Sequence, residues 1–179
     1  SAALEIEDLR TGDVFMMDAE HITNMRTGAA GVLGARYLGP KEIRTVSIVG
    51  TGRIAKAIAL CADEALRPQE IRCTSRKEEN RTQFKNFLVD RIEARIEVAD
   101  TIASCLKGAD AVFTSVPTPR PILNEQDLPE GVHLTVIAGD PRTSQLFPEL
   151  IQSREVVVDH IEQSKKSGDF LAVVKAGKR

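Results

Sequence analysis

Two glycines and an alanine at close spacing mark the first place in the chain whose residue types could bind a ligand. Gly50, Gly52 and Ala55 follow the apolar run "TVSIV" and fit the pattern G-x-G-x-x-A. The first glycine permits a tight turn, the second lets the backbone approach a pyrophosphate, and the small third residue lets helix and strand pack closely. A helix beginning here would direct unpaired N–H groups and its positive dipole end at the phosphates. The pattern predicts a dinucleotide-binding loop that includes Arg53 and Ile54, although glycines also end strands for purely steric reasons.

A second candidate group lies at the end of the next predicted strand, about twenty residues further on, where dinucleotide-binding chains usually present an acid to the ribose. Here the sequence offers Thr74, Ser75 and Arg76. Ser75 could hydrogen-bond a 2′-phosphate and Arg76 could clamp or stack on it. We therefore expect NADP(H) as the cofactor, with NAD(H) as the alternative. Alternatively, the same residues form only a solvated, charged turn that has no role in binding.

The composition excludes several classes of function. The chain has 179 residues, 42% hydrophobic and 4% aromatic, which suffices for one domain with an aliphatic core. A net charge of -2 gives no reason to expect nucleic acid or an anionic membrane as a partner. No apolar run approaches the roughly 18 residues of a membrane span, and no secretory pattern opens the chain. Three separated cysteines in apolar segments predict reduced core thiols of a cytoplasmic protein, and neither a disulfide framework nor a metal site.

The elements that must position these residues follow a regular alternation. Residues 1–17 show no clear period, and a helix capped by Asp18 is expected to run to about residue 38. Helices are then predicted over 53–66, 80–91 and 100–107, between strands that read "TVSIV", "IRCTS", "ARIEV", "AVFTSV", "HLTVIA" and "EVVVD". This alternation predicts a Rossmann-like, doubly wound α/β fold with a mainly parallel sheet. We expect an N-terminal segment with its helix over 1–40, the Rossmann dinucleotide-binding domain over 41–160 and a C-terminal helix or tail over 161–179.

The segment "DAEHITNMRTGAAGVLGARYL", followed by the glycine loop, resembles the ornithine cyclodeaminase and mu-crystallin family. The resemblance extends over most of the chain through "GADAVFTSVPTPRPIL", "LPEGVHLTVIAGD" and "EVVVDHIEQSKKSGDF". It implies hydride transfer between a nicotinamide and the α-carbon of a small amino acid or cyclic imine. Members include amino-acid dehydrogenases, ketimine reductases, cyclodeaminases and a crystallin that binds NADPH. Two alternatives therefore accompany the oxidoreductase: a cyclodeaminase-type lyase with tightly bound NAD, and a nucleotide-binding protein without turnover.

The same resemblance assigns roles to individual residues. It implies that Arg26 holds the substrate carboxylate, a task suited to a planar guanidinium that can donate two parallel bonds. It implies that Asp140 is the catalytic acid/base or binds the substrate amine, although Asp-Pro also commonly starts a turn. The segment "DPRTSQL" is one residue shorter than the family pattern, and Arg142 only loosely replaces a basic residue expected there. Cofactor contacts are implied for Ser115, Val116 and Pro117, which could equally form a stiff connection.

Members of this family are longer than 179 residues. By the resemblance, they carry an N-terminal domain with a catalytic lysine, a further substrate arginine and the sheet that forms a dimer. We therefore expect this chain to be a portion of such an enzyme, homodimeric in its full-length form. We expect the portion to bind a dinucleotide but to be inactive alone, because catalysis requires the substrate to be held accurately.

Overall fold

A five-stranded parallel sheet forms the centre of the protein, and a two-stranded hairpin precedes it. The computed structural model describes residues 3–137, 140–166 and 168–175. The strands are β1 (Ala3–Glu7), β2 (Val14–Asp18), β3 (Thr45–Val49), β4 (Glu70–Thr74), β5 (Arg95–Val98), β6 (Ala111–Thr114) and β7 (His133–Val136). The helices are α1 (Glu20–Leu38), α2 (Arg53–Leu66), α3 (Glu78–Leu88), α4 (Ile102–Leu106), α5 (Pro148–Gln152), α6 (Ile161–Ser164) and α7 (Gly168–Lys175).

The strand order confirms the doubly wound α/β architecture. The sheet runs β5-β4-β3-β6-β7, and all its neighbouring strands are parallel. From β3 the chain adds β4 and then β5 on one side of the sheet, and it then returns to add β6 and β7 on the other side, so the strand order reverses between β3 and β6. In open parallel sheets of this kind, ligands bind outside the carboxyl ends of the strands at such a reversal.

Aliphatic side chains fill the core on both faces of the sheet, as the composition predicts. One buried cluster lies under the first three helices and includes Ile48, Ile58, Ile71, Phe84, Leu88 and Phe113. The other lies on the opposite face, with α4, α5 and α7, and includes Val49, Leu106, Val112, Leu123, Leu150 and Val173. Two faces of apolar packing fix the sheet and so hold the strand ends at defined positions.

Helix α1 packs across α2 and β7. A Cβ on Gly28 would lie 2.8 Å from the carbonyl carbon of Ala57, so the two helix backbones touch. Further along α1, Gly31 lies against Ile137, and Gly39 beyond the helix end lies against His133. The helix therefore runs antiparallel to β7, and its N-terminal half lies toward the carboxyl edge of the sheet. None of the described helices is long and apolar enough to cross a membrane.

The structure corrects three details of the secondary-structure prediction. The first 17 residues were expected to be irregular, but β1 and β2 pair as an antiparallel hairpin with exposed apolar side chains. Among the described residues, the valine run "EVVVD" (155–159) forms no strand, and the Val157 side chain is 64% exposed. Valine favours strands, but a strand also needs a partner for its ladder, and that run pairs with none of the described strands. Helix α4 is also shorter than predicted, and the last residue of "HLTVIA", Ala138, lies outside the described residues.

Asp18 does not cap α1 in the manner predicted. The N-cap residue is Ala19, and the Asp18 carboxylate accepts the N–H of Glu20 at 2.8 Å instead. The side chain still satisfies one donor of the first turn, because an Asp one position earlier can reach the N–H two residues ahead.

Candidate dinucleotide-binding site

The glycine loop after β3 requires glycine at its first position, because the backbone there has a conformation that other residues rarely adopt. Gly50 has a φ of 112°, a conformation that residues with a side chain rarely adopt. Its N–H donates to the carbonyl of Thr74 at 2.9 Å, which ties the loop to the end of β4. A Cβ here would lie 3.2 Å from Val116 Cγ2 and 3.3 Å from the Ser115 carbonyl oxygen. Gly50 therefore brings the ends of β4, β3 and β6 together.

The second glycine faces open space at the start of a helix. A Cβ on Gly52 would meet no described atom within 4 Å. Gly52 is the N-cap of α2, and among the described residues no side chain caps its first turn. Ala55 is fully buried in the core, so the third position of the motif packs helix against strand as predicted. The first N–H groups of α2 are thus available at an open surface, which is the geometry that binds a pyrophosphate.

Arg53 and Ile54, which lie between Gly52 and Ala55, have different surroundings. The Arg53 guanidinium forms an ion pair with Glu20 at 2.7 Å, and Ile54 is half-buried against the core. The sequence predicted both as cofactor contacts. In the structure, the Arg53 side chain joins the first turns of α1 and α2 and stays largely exposed, and its contact with a cofactor stays a prediction.

The end of β4 is held by a buried arginine that the sequence analysis did not single out. Arg81 donates from Nη1 to the Ser75 carbonyl at 2.7 Å and from Nη2 to Asp100 at 2.8 Å. The Thr74 side chain is buried, whereas Arg76 is exposed. Arg81 therefore fixes the turn that presents Ser75 and Arg76 at the edge of the sheet. The basic Lys77, which is the N-cap of α3, comes next, followed by the acidic Glu78 and Glu79 in the first turn of that helix.

The loop after β6 contains a polar atom without a partner. Ser115 Oγ is buried and has no hydrogen-bond partner among the described residues. The next residue, Val116, donates its N–H to Gln145 Oε1 at 2.7 Å, and Pro117 is exposed. A buried hydroxyl left unpaired beside the phosphate loop is the kind of group that a bound ligand would satisfy.

Arg26 and Asp140 both lie toward the carboxyl edge of the sheet. Arg26 is exposed on α1, a little more than one turn nearer the N-terminus than Gly31, which lies beside Ile137. Asp140 accepts from Arg142 through both carboxylate oxygens, at 3.1 Å from Nε and 2.7 Å from Nη2. The side-chain hydrogen bonds from Arg142 lower the pKa of Asp140 to about 2. Asp140 is ionised at neutral pH with or without this pair, and the pair makes it a weaker proton acceptor, so in this arrangement it is suited to pair with an ammonium group.

The cysteine side chains lie in or against the hydrophobic core. Cys73 and Cys105 are buried, and burial raises the pKa of the Cys73 thiol to about 12 and that of Cys105 to about 11. All three cysteines are free, and no cluster of metal-ligand side chains forms within the described part of the chain. Two of the thiols are core residues, as the sequence predicted, and Cys61 is only partly buried.

Together these features match the shape of a dinucleotide. The phosphate loop lies at the reversal of strand order, the predicted ribose residues lie on the β4 side, and the unpaired Ser115 hydroxyl lies on the β6 side. In folds of this kind, a dinucleotide binds across such a crevice with its pyrophosphate at the helix N-terminus and its two nucleoside halves on either side. The residues present fit such a ligand.

Comparison with known proteins agrees with this geometry. The chain is 29% identical over 164 residues to an alanine dehydrogenase from Archaeoglobus fulgidus, a match covering 90% of this chain and 50% of that protein. It is 24% identical over 176 residues to a Delta(1)-pyrroline-2-carboxylate reductase from Bacillus thuringiensis subsp. konkukian, covering 96% of this chain and 54% of that protein. It also matches the structure of an archaeal alanine dehydrogenase dimer with bound NAD, with a TM-score of 0.85 and 26% identity over 96% of this chain and 53% of that one.

This chain spans about half the length of these relatives. The model of the ornithine cyclodeaminase/mu-crystallin family matches residues 1–178. The match covers nearly the whole sequence, including α1, the glycine loop and the strands that carry the candidate site. The chain therefore belongs to the ornithine cyclodeaminase/mu-crystallin family.

Proposed function

We propose that this chain is the nicotinamide-dinucleotide-binding part of an oxidoreductase that transfers hydride between the nicotinamide and the α-carbon of an amino acid or cyclic imine. The observation that carries the proposal is the phosphate loop: Gly50 at positive φ, Gly52 facing open space, and the uncapped start of α2 beside them. The relatives, an alanine dehydrogenase and a pyrroline-carboxylate reductase, support this class of reaction.

In this proposal, the chain supplies binding and orientation. The cofactor, when bound, supplies the hydride donor or acceptor at its nicotinamide ring. The N–H groups at the start of α2 hold the pyrophosphate, and the glycine loop keeps side chains away from it. The Ser115 hydroxyl and the backbone of Val116 and Pro117 form the wall on the opposite side of the crevice.

Arg26 and Asp140 are proposed to bind the substrate. The exposed guanidinium of Arg26 can donate two parallel hydrogen bonds to a carboxylate. Asp140 is ionised at neutral pH, which suits an electrostatic contact with a substrate ammonium or iminium group. Because its pKa lies far below neutral, Asp140 is not the group that donates a proton in this arrangement.

We further propose a preference for NADP(H). Ser75 and Arg76 lie at the end of β4, and Arg81 and Asp100 hold the turn that presents them. The sequence places no acid at the end of this strand, where one would bind the ribose hydroxyls and repel a 2′-phosphate. Because a cyclodeaminase-type lyase would hold NAD, the same feature disfavours that alternative. Glu78 and Glu79 are the side chains that could instead support NAD(H).

Calorimetric titration of the chain with NADPH and NADH tests the proposal. If Ser75 and Arg76 bind a 2′-phosphate, NADPH should bind at least about tenfold more tightly, or roughly 1.4 kcal/mol. Arg76→Ala should remove most of this difference and leave NADH binding nearly unchanged. The control is Arg36→Ala, which removes the same charge from an exposed arginine in the last turn of α1. Equal affinities in the wild type would refute the NADP assignment, and binding of neither nucleotide would refute the proposed function.

We also propose that the longer protein is a homodimer. One face of the hairpin of β1 and β2 carries Leu4, Ile6, Phe15 and Met17, which are between 38% and 58% exposed. Contiguous exposed apolar side chains of this kind commonly mark a protein–protein interface.

A further inference from the structure

A buried glutamine connects three segments at the carboxyl edge of the sheet. The Gln145 side chain is fully buried. Its Oε1 accepts from Thr114 Oγ1 at 2.7 Å and from the Val116 N–H at 2.7 Å, and its Nε2 donates to the Ile137 carbonyl at 3.2 Å. One amide group therefore links the end of β6, the loop after it and the residue after β7.

The backbone of Gln145 is itself held on both sides. Its carbonyl accepts the N–H groups of Ile122 and Leu123 at 2.8 and 3.0 Å. Its N–H donates to the carboxylate of Asp169, which also accepts the N–H of Leu146 at 2.7 Å. Because backbone and side chain are both fixed, Gln145 can hold Val116 at a defined position.

The segment that Gln145 holds forms one wall of the crevice. The Ser115 carbonyl and the Val116 side chain lie within 3.3 Å of where a Cβ on Gly50 would be. The position of this loop therefore sets the distance between the β6 side and the phosphate loop. Since the predicted ribose residues of the adenosine half lie at β4, the other half of a dinucleotide must lie over β6 and β7.

We propose that Gln145 is a positioning residue for the nicotinamide half of the cofactor. By holding the Val116 N–H, it keeps the loop after β6 at the distance that the nicotinamide nucleotide requires and leaves the Ser115 hydroxyl unpaired for that half. This inference rests on the proposed function, because it assigns the role of a residue within the same site.

Two nucleotides that differ only in the nicotinamide half test this role. NADPH and adenosine 2′,5′-bisphosphate share the adenosine half, whereas the second, the fragment of this comparison, lacks the whole nicotinamide nucleotide. If the wild type prefers NADH, the pair becomes NADH and AMP. The variant is Gln145→Met, which keeps the length of the side chain but can make none of the three hydrogen bonds. The control is Gln126→Met, the same change at an exposed glutamine.

Gln145→Met should weaken NADPH binding by about tenfold, because the Val116 N–H loses its acceptor and the loop after β6 is no longer held where the nicotinamide half requires it. Binding of the fragment should change less than about twofold, because that ligand does not reach the loop. Equal losses for both nucleotides would show a merely structural role and overturn the proposal, as would no loss for either. A wild type that binds neither nucleotide would overturn the proposed function, and this one with it, before any variant is measured.

If Gln145→Met does not fold, Gln145→Glu is measured in the same way. A carboxylate can still accept from Thr114 and Val116, but it places an oxygen against the Ile137 carbonyl in place of a donor. The expected result is again a selective loss of NADPH affinity. Equal loss for the fragment would overturn the proposal in this variant as well. Unfolding midpoints measured without nucleotide separate a change in stability from the change in selectivity.

Discussion

The contact between α1 and α2 gives a sharp test of the packing, because two glycines of the same helix have opposite surroundings. A Cβ on Gly28 would lie 2.8 Å from the Ala57 carbonyl carbon and 2.9 Å from the Ile58 nitrogen. Both are backbone atoms inside α2 and cannot turn away. A Cβ on Gly34 would lie 3.9 Å from Thr135 Oγ1 and 4.0 Å from His133 Nε2, which are ordinary contacts.

Alanine at either position gains about 0.8–1.0 kcal/mol from helix propensity alone. At Gly28, this gain is opposed by overpacking, which costs about 1–3 kcal/mol in a well-packed core, with the upper half of that range expected against backbone. We therefore expect Gly28→Ala to destabilise the fold by about 1–2 kcal/mol and Gly34→Ala to stabilise it by about 0.5–1 kcal/mol.

Urea unfolding of both variants beside the wild type measures these differences. In thermal unfolding of a chain of this size, each kcal/mol shifts the melting temperature by about 2–4 °C, so the two variants should differ by roughly 3–12 °C. Similar stabilisation of both variants would refute the argument, since it would mean that α1 and α2 are not in backbone contact at Gly28. Destabilisation of both would show instead that the residues around Gly34 are packed more tightly than the distances indicate.

Two further predictions concern titrating groups. The pKa of Asp140 is lowered from 3.8 to about 2 by Arg142, so the pair stabilises the fold above pH 3.8 and this contribution is lost as the pH falls toward 2. Arg142→Gln should return the pKa toward 3.8 in an NMR titration and reduce the loss of stability over that window, and an unchanged titration would contradict the ion pair. In thiol alkylation near pH 8, the half-buried Cys61 should react first, because burial raises the pKa of Cys73 to about 12 and that of Cys105 to about 11. The alkylation rates of the denatured chain serve as the reference. Equal alkylation rates for all three cysteines in the folded protein would contradict the burial of Cys73 and Cys105.

Much of the fold could be predicted from the sequence because its signals are local. The run "TVSIV" became β3, the helix predicted over 53–66 is α2, and the helix expected to end near residue 38 is α1. The valine run at 155–159 was predicted wrongly, because strand propensity does not report whether a neighbouring edge is available to pair with. Residues 3–18 were missed as a hairpin for a related reason, since both strands expose their apolar side chains and show no buried face.

The candidate site, like the fold, could be predicted only in part from the sequence. The glycine motif predicted the phosphate loop, because a tight turn and a close approach restrict which residues can occupy those positions. The motif could not show that the Arg53 side chain is paired with Glu20, or that both carboxylate oxygens of Asp140 accept from Arg142. These contacts involve ordinary charged residues whose partners are chosen only when the helices and loops pack together.

The sequence by itself determined the alternation of strands and helices, the family and the position of the phosphate loop. All three depend on the spacing of residues along the chain, which is local information. The tertiary structure alone decided which polar side chains support that loop. Gln145 meets Val116 across 29 positions of the chain, and Asp169 meets the Gln145 backbone across 24. Such pairs leave no periodic trace, because a buried amide or carboxylate is stabilised by any partner that the fold brings within hydrogen-bonding distance.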